Sequence, residues 1–189
     1  MIELRNISKS YDKEILKEVN LIINKVSRVG IIGSSGEGKT TLIRIILGLE
    51  KPDFGEVIMD DLKMSAVFQE DRLIANLPAI DNIKIIDDSI QEKDIISHLN
   101  EVGIVDYDMR INKMSGGMKR RVAIVRAVIC KSDIIILDEP IKGLDGQSRA
   151  NTIEYINKYK GDRALVLVTH DEADLLDFQI EKILDLDKK

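Results

Sequence analysis

Short apolar runs alternate with amphipathic stretches along the whole chain. The apolar runs predict β-strands over Ile2–Ile7, Ile15–Ile23, Arg28–Ile32, Glu56–Met59, Ala66–Phe68, Ile134–Leu137, Ala164–Thr169 and Ile180–Leu186. Apolar residues at helical spacing predict a short helix before the last strand and longer ones over Lys39–Gly48, most of Ile80–Val102 with a break at Asp87–Ser89, Ser115–Cys130 and Gln147–Lys158. Apolar strands that alternate with helices are typical of a parallel sheet covered on both faces. The pattern therefore predicts an α/β fold.

Length and composition narrow the class of protein. A chain of 189 residues is expected to form one domain, or one domain with an inserted lobe, and 44% hydrophobic residues are enough for a hydrophobic core. The net charge of −5 argues against binding nucleic acid through bulk positive charge. Apolar runs such as Leu165–Val168 are far shorter than the roughly 20 residues of a spanning helix. With no secretory signal expected and one cysteine, Cys130, we expect a cytoplasmic protein.

A glycine-rich segment between the predicted strand at Arg28–Ile32 and the following helix fits the phosphate-loop pattern GxxxxGK[ST]. Its residues are Gly33, Ser34, Ser35, Gly36, Glu37, Gly38, Lys39 and Thr40, followed by Thr41. Glycines let backbone N–H groups turn towards phosphate oxygens, Lys39 would reach the β- and γ-phosphates, and the Thr40 hydroxyl would bind Mg²⁺. The alternative is a glycine-rich turn with an unrelated lysine. The strand–loop–helix setting favours a nucleoside triphosphate site.

Two adjacent acids, Asp138 and Glu139, end the buried strand predicted at Ile134–Leu137. Neighbouring side chains at a strand end diverge, so one carboxylate can face a metal ion while the other faces an attacking water. An ordinary acidic turn is the alternative. Together with the phosphate loop, the pair favours nucleotide hydrolysis.

A further segment distinguishes among phosphate-loop families. Residues 114–118 (MSGGM) precede a predicted helix and resemble the LSGGQ signature of the ATP-binding cassette (ABC) ATPases. Tyr11, Gln69, residues 141–145 (IKGLD) and His170 are similar to the family's adenine-stacking aromatic, Q-loop, D-loop and switch histidine. The chain thus resembles an ABC nucleotide-binding domain over nearly its whole length.

The resemblance implies a phosphate-loop NTPase fold with a mostly parallel core sheet, a small antiparallel β-lobe and a helical subdomain that carries the signature. It implies one ABC domain over residues 1–189, with the core and β-lobe at about 1–73 and 131–189 and the helical subdomain at about 74–130. The short interval between Lys39 and Gln69 suggests a trimmed β-lobe.

The resemblance also assigns roles to single residues, with ATP and Mg²⁺ as cofactors. Glu139 would be the general base, His170 the γ-phosphate sensor and Lys39 a catalytic cation. Mg²⁺ would be held by Thr40, Gln69 and Asp138. Besides the phosphate loop and Thr41, the nucleotide contacts would be Tyr11, Gln69, Ser115, Gly116, Gly117 and Asp145, with the signature residues acting on the ATP of a second copy. Met114, Met118 and Lys142 depart from the family's usual residues at their positions.

The function implied is that of an ATP-hydrolysing subunit that powers a membrane transporter through ATP-driven dimerisation. Residues 68–73 (FQEDRL) are similar to importers of the nitrate, sulfonate and taurine type. The expected partners are separate transmembrane permease subunits and a second ABC subunit, with homodimerisation favoured and no direct nucleic-acid contact. The protein would then lie at the inner face of the membrane. An exporter subunit and a soluble ABC ATPase that acts on ribosomes or DNA stay open as alternatives.

Overall fold

The computed structural model describes residues 1–188, and these contain eight strands and six α-helices. The strands are β1 (Ile2–Ser10), β2 (Glu14–Ile23), β3 (Arg28–Ile32), β4 (Phe54–Met59), β5 (Met64–Val67), β6 (Ile134–Asp138), β7 (Ala164–Val168) and β8 (Lys182–Asp185). The helices are α1 (Lys39–Ile46), α2 (Ala79–Lys84), α3 (Glu92–Glu101), α4 (Gly116–Ile129), α5 (Gly146–Tyr159) and α6 (Glu172–Asp177). A 3₁₀-helix covers Ile111–Lys113. Each element predicted from the sequence is found, with shifts at its ends.

The chain folds as two units, each built from separate stretches of sequence. The first contains Met1–Met64, Ser132–Asp138 and the described residues from Asp162 onwards. The second contains Ser65–Lys131 and Glu139–Gly161.

A parallel sheet forms the centre of the first unit. Four of its strands lie in the order β6, β7, β3, β8, and each neighbouring pair of these four is parallel. Every residue of β6 and β7 is buried, as expected for strands covered on both faces. This sheet confirms the α/β fold with a parallel core.

A small antiparallel sheet completes the first unit, with β1 between β2 and β4. Leu4 of β1 lies opposite Leu21 on one side and Val57 on the other. Along β1, Ile2 and Leu4 are buried whereas Arg5 is exposed, because alternate residues of a strand point to opposite faces. The predicted antiparallel lobe is therefore present.

The second unit is helical, and α4 contacts α2, α3 and α5. Its buried face includes Val122, Ala123 and Ile124, which fit the apolar stripe predicted for this segment. Among residues 1–188, every helix is too short or too polar to cross a bilayer.

Helix α1 is bounded by two glycines in the left-handed region. Gly38 precedes its first turn with φ 89°, and Gly48 follows its end with φ 68°. The N–H of Gly48 donates to the carbonyl of Ile45 at 3.0 Å, and that of Leu49 donates to the carbonyl of Arg44 at 2.8 Å. This paired arrangement satisfies carbonyls at the helix end that would otherwise lack partners. The stop predicted at Gly48 thus has a clear physical basis.

Candidate functional site

Residues 33–38 form a tight loop between β3 and α1. Gly36 and Gly38 have φ values of 87° and 89°, which side chains other than glycine rarely adopt. A Cβ atom on Gly38 would lie 2.6 Å from Cγ2 of Ile15 and 2.8 Å from Cδ2 of Leu16. Close packing against β2 therefore requires glycine here in addition to the backbone conformation.

The Lys39 side chain folds back over this loop. Its ammonium group donates to the carbonyl oxygens of Gly33 at 2.5 Å and Ser34 at 2.8 Å. The Glu37 N–H donates to the Ser34 carbonyl at 3.3 Å, while Ser35 and Gly36 are exposed at the loop's tip. A fixed positive charge is thereby placed beside a loop at the N-terminus of α1, an arrangement suited to binding an anion.

Thr40 and Asp138 meet at the carboxyl end of β6. The Thr40 hydroxyl donates to Oδ2 of Asp138 at 3.3 Å, and Asp138 is only 3% exposed. A hydroxyl and a carboxylate oxygen at this separation are the hard oxygen donors that Mg²⁺ prefers. These two residues therefore fit the metal role predicted for them.

A cleft of about 310 Å³ beside the loop contains the predicted switch histidine. It is lined by Ile32, Gly33, Ser34, His170, Glu172, Asp185 and Asp187. Asp187 accepts hydrogen bonds from the Ser34 N–H at 3.0 Å and from the Ser34 hydroxyl at 2.9 Å. The first unit thus brings the phosphate loop and His170 together, and it adds a carboxylate that the sequence analysis missed.

Tyr11 lies close to helix α1 with much of its ring accessible. The side chain is 57% exposed, and its hydroxyl donates to the Glu50 carboxylate. This hydrogen bond raises the pKa of Tyr11, whereas a weaker interaction with the Thr41 hydroxyl lowers it. Lys9 places its ammonium 5.7 Å from the ring centroid. Tyr11 and Thr41 are therefore neighbours.

The other predicted residues belong to the second unit. A pocket of about 250 Å³ is lined by Gln69, Asp71, Gly116, Gly117, Arg120, Lys142 and Gly143. Residues from the predicted Q-loop, signature and D-loop thus face one space, whereas Thr40 and Asp138, predicted with Gln69 to hold the metal, belong to the first unit.

Side-chain caps begin the two long helices of the second unit. The Ser115 hydroxyl accepts a hydrogen bond from the Met118 N–H at 3.2 Å at the start of α4. Asp145 accepts one from the Ser148 N–H at 3.0 Å at the start of α5, and this bond holds the pKa of Asp145 below its usual value. Both residues fulfil a structural role of their own, because caps satisfy N–H groups that a helix leaves open.

Glu139 has an unusual backbone and a charged neighbour. Its φ is 47°, in the left-handed region that disfavours side chains. Its carboxylate contacts the ammonium of Lys142, and its carbonyl accepts a 2.7 Å hydrogen bond from Arg120. Arg120 is not among the residues predicted from the sequence. Its position could have indicated a buried role, because Arg120 lies at helical spacing from the apolar residues Ala123, Ile124 and Ala127.

Residues 16–142 match the family described as "ABC transporter". The spermidine/putrescine import ATP-binding protein PotA of Mesoplasma florum is 34% identical over 93% of this chain and 56% of its own length. The sulfate/thiosulfate import ATP-binding protein CysA of Anthoceros angustus is 33% identical over 94% of this chain and 52% of its own length. This chain therefore spans about half the length of these curated relatives.

A solved structure shares the fold over nearly the full length of both chains. The dimeric, post-hydrolysis ATP-binding cassette MJ0796 bound to ADP and Pi superposes with a TM-score of 0.86 at 30% identity. The match covers 98% of this chain and 94% of that one.

Proposed function

Because the chain belongs to the ABC transporter family, we propose that it is an ATP-hydrolysing subunit that powers a membrane transporter, with ATP and Mg²⁺ as its cofactors. The observation that carries this proposal is the hydrogen bond of 3.3 Å between Thr40 and Asp138. Thr40 follows Lys39, whose side chain folds back over the loop at residues 33–38. Anion-binding and metal-binding groups are adjacent there, as phosphoryl transfer needs.

The proposed chemistry uses the residues of each unit as follows. Lys39 and the loop N–H groups bind the triphosphate, and Thr40, Asp138 and Gln69 hold Mg²⁺, which neutralises charge on the phosphates when bound. Glu139 orients and deprotonates water, since its carboxylate follows the metal-binding acid directly in the chain. His170 contacts the γ-phosphate, and the ring of Tyr11 stacks on adenine.

Two copies of the chain are proposed to share each nucleotide. Ser115, Gly116, Gly117 and Asp145 of one copy would act on the triphosphate bound by the other, in a symmetric homodimer. The dimeric state of the MJ0796 cassette supports this arrangement. One chain also carries two helix N-termini that follow predicted phosphate-binding segments, that of α1 and that of α4, and a helix leaves its first N–H groups open.

The proposed transporter is an importer. The two relatives are named as import ATP-binding proteins, one for spermidine and putrescine and the other for sulfate and thiosulfate. Separate transmembrane permease subunits would then hold the chain at the inner face of the membrane, without direct contact to nucleic acid. An importer of the nitrate, sulfonate and taurine type, suggested by residues 68–73, stays a prediction.

The chemistry is tested with purified wild type and the variant Glu139→Gln. Wild type should hydrolyse ATP only with Mg²⁺, and Glu139→Gln should bind ATP yet lose at least about 100-fold in turnover. The variant should form a dimer with MgATP and not with MgADP, measured by light scattering. Glu154→Gln, the same change on an exposed position of α5, is the control. If Glu139→Gln hydrolyses ATP at the wild-type rate, Glu139 is not the general base.

The transport role is tested by capture. Tagged Glu139→Gln with MgATP is recovered from the membranes and cytosol of the native host, with MgADP as the control. A multi-spanning membrane protein recovered only with MgATP supports the transporter. Recovery of ribosomal or DNA-bound proteins alone would favour the soluble alternative, and the direction of solute movement in vesicles with that partner separates import from export.

A further inference from the structure

The Arg120 guanidinium joins three segments of the second unit. It donates to the carbonyl oxygens of Glu139 at 2.7 Å and Pro140 at 3.1 Å on one side. On the other side it donates to the carbonyl oxygen of Phe68 at 2.5 Å and lies 3.5 Å from that of Gln69. Because Arg120 itself stands in the first turns of α4, one side chain connects the signature helix, the Q-loop and the backbone of Glu139.

The charge of Arg120 is buried, and it is paired. The residue is 6% exposed, and its Nη1 lies 3.2 Å from Oδ1 of Asp71, whose side chain is 25% exposed. A buried cation is tolerated only when it is paired and hydrogen-bonded. Arginine fits this position because its planar group carries N–H donors in several fixed directions, which an ammonium group lacks.

The contact with Glu139 falls where the backbone is under strain. A φ of 47° costs free energy at a residue with a side chain, and the surrounding contacts must hold it there. The hydrogen bond from Arg120 fixes the carbonyl of that same residue. The direction in which the Glu139 side chain leaves the backbone therefore depends on Arg120.

We propose that Arg120 is a positioning residue for ATP hydrolysis. It fixes the backbone at Glu139 and at Gln69 relative to the start of α4, so that the base and the Q-loop glutamine keep one geometry during turnover. This inference rests on the proposed function. The hydrogen bonds described above for Lys39 lie in the first unit and end on Gly33 and Ser34, so the loss of Arg120 should affect turnover and not the capture of ATP by the phosphate loop.

The test compares Arg120→Lys with the matched variant Arg126→Lys. Arg126 lies on the same helix and also donates to backbone carbonyls, those of Asp71 at 3.0 Å and Arg72 at 2.9 Å, but it has no described hydrogen bond to Glu139. Both variants lose carbonyl hydrogen bonds from one helix, so both should lower the Tm. Only Arg120→Lys should lower kcat, by at least about tenfold, since small misplacements of catalytic groups cost large factors in rate. The Kd for ATP measured without Mg²⁺ should stay within about twofold, because the phosphate loop and Lys39 lie in the first unit.

Amide hydrogen exchange supplies a readout that a general loss of stability would not give. Exchange over residues 139–142 should rise in Arg120→Lys and stay unchanged in Arg126→Lys. The variant Asp71→Asn keeps Arg120 and removes its ionic partner, so it should lower kcat by a smaller factor. If Arg120→Lys does not fold, Asp71→Asn is the test.

Equal losses of kcat in Arg120→Lys and Arg126→Lys, or an unchanged kcat in Asp71→Asn and Arg120→Lys, would overturn the inference and leave the proposed function in place. A wild-type chain without ATPase activity would overturn both.

Discussion

Ser34 donates to the Asp187 carboxylate from two groups: its backbone N–H lies 3.0 Å from both oxygens, and its hydroxyl lies 2.9 Å from Oδ2. The carboxylate comes from the segment after β8, more than 150 positions further along the chain. It joins that segment to the second residue of the phosphate loop. It also places a negative charge beside the site that we propose for a polyphosphate.

Replacing Asp187 with asparagine should strengthen nucleotide binding. The amide side chain would keep a hydrogen-bond acceptor for Ser34 and remove a charge that repels phosphate. A pair of charges near 4 Å apart in water is worth about 1 kcal/mol, so the Kd for MgATP should fall by up to about fivefold. Titration of a fluorescent ATP analogue measures this. The gain should shrink in high salt, and Asp162→Asn, the same change on an exposed turn, should have no effect.

Lys142→Ala should increase turnover. The ammonium of Lys142 contacts one oxygen of the Glu139 carboxylate, so it occupies a position at which the attacking water would otherwise bind. With Lys142 54% exposed, the pair is worth at most about 1 kcal/mol, so kcat should rise by no more than about fivefold. Lys142→Arg should behave like the wild type. A loss of more than tenfold in Lys142→Ala would instead show that the pair positions Glu139.

Gly38→Ala should unfold more easily than Gly36→Ala. Both glycines have positive φ, which costs a side chain about 1–2 kcal/mol. Only at Gly38 would the new methyl group meet β2, whereas nothing lies within 4 Å at Gly36. Overpacking adds about 1–3 kcal/mol to the cost at Gly38. Denaturant unfolding of the two variants gives this difference, and equal stabilities would contradict it.

The second unit should lose stability as the pH falls through the range where free histidine titrates. His98 lies partly buried in α3 with its Nδ1 2.9 Å from the Tyr155 hydroxyl. Burial lowers the pKa of His98, and the charge of Lys158 lowers it further, although Glu101 and Asp94 act in the opposite direction.

Between the lowered pKa and the ordinary value of 6.5, the unfolded chain binds a proton at His98 that the folded chain does not bind. Stability is therefore fully present above pH 6.5 and declines below it. Unfolding measured in denaturant at pH 7.5 and 5.5 should show this decline, and His98→Gln should reduce it. An identical decline in that variant would assign the effect to other groups.

The sequence predicted those parts of the molecule that depend on residues close together in the chain. The fold class followed from apolar runs such as Ile134–Leu137, because a fully buried strand needs apolar residues at every position. The tight loop before α1 followed from the spacing of Gly33, Gly38 and Lys39, and its role in binding phosphate stays a prediction. The parts not predicted depend on residues far apart in the chain, such as Ser34 with Asp187 and Arg120 with Glu139. No pattern within a single segment encodes such a contact.

The cap at the start of α4 lowers the side-chain entropy that is lost when a ligand binds there. Since the Ser115 oxygen already accepts the Met118 N–H, its side chain occupies one rotamer before anything binds. The loss of rotational freedom thus accompanies folding and not association. The Ser115 hydroxyl keeps its one proton to donate to a phosphate oxygen, and little side-chain entropy is left to lose when that bond forms.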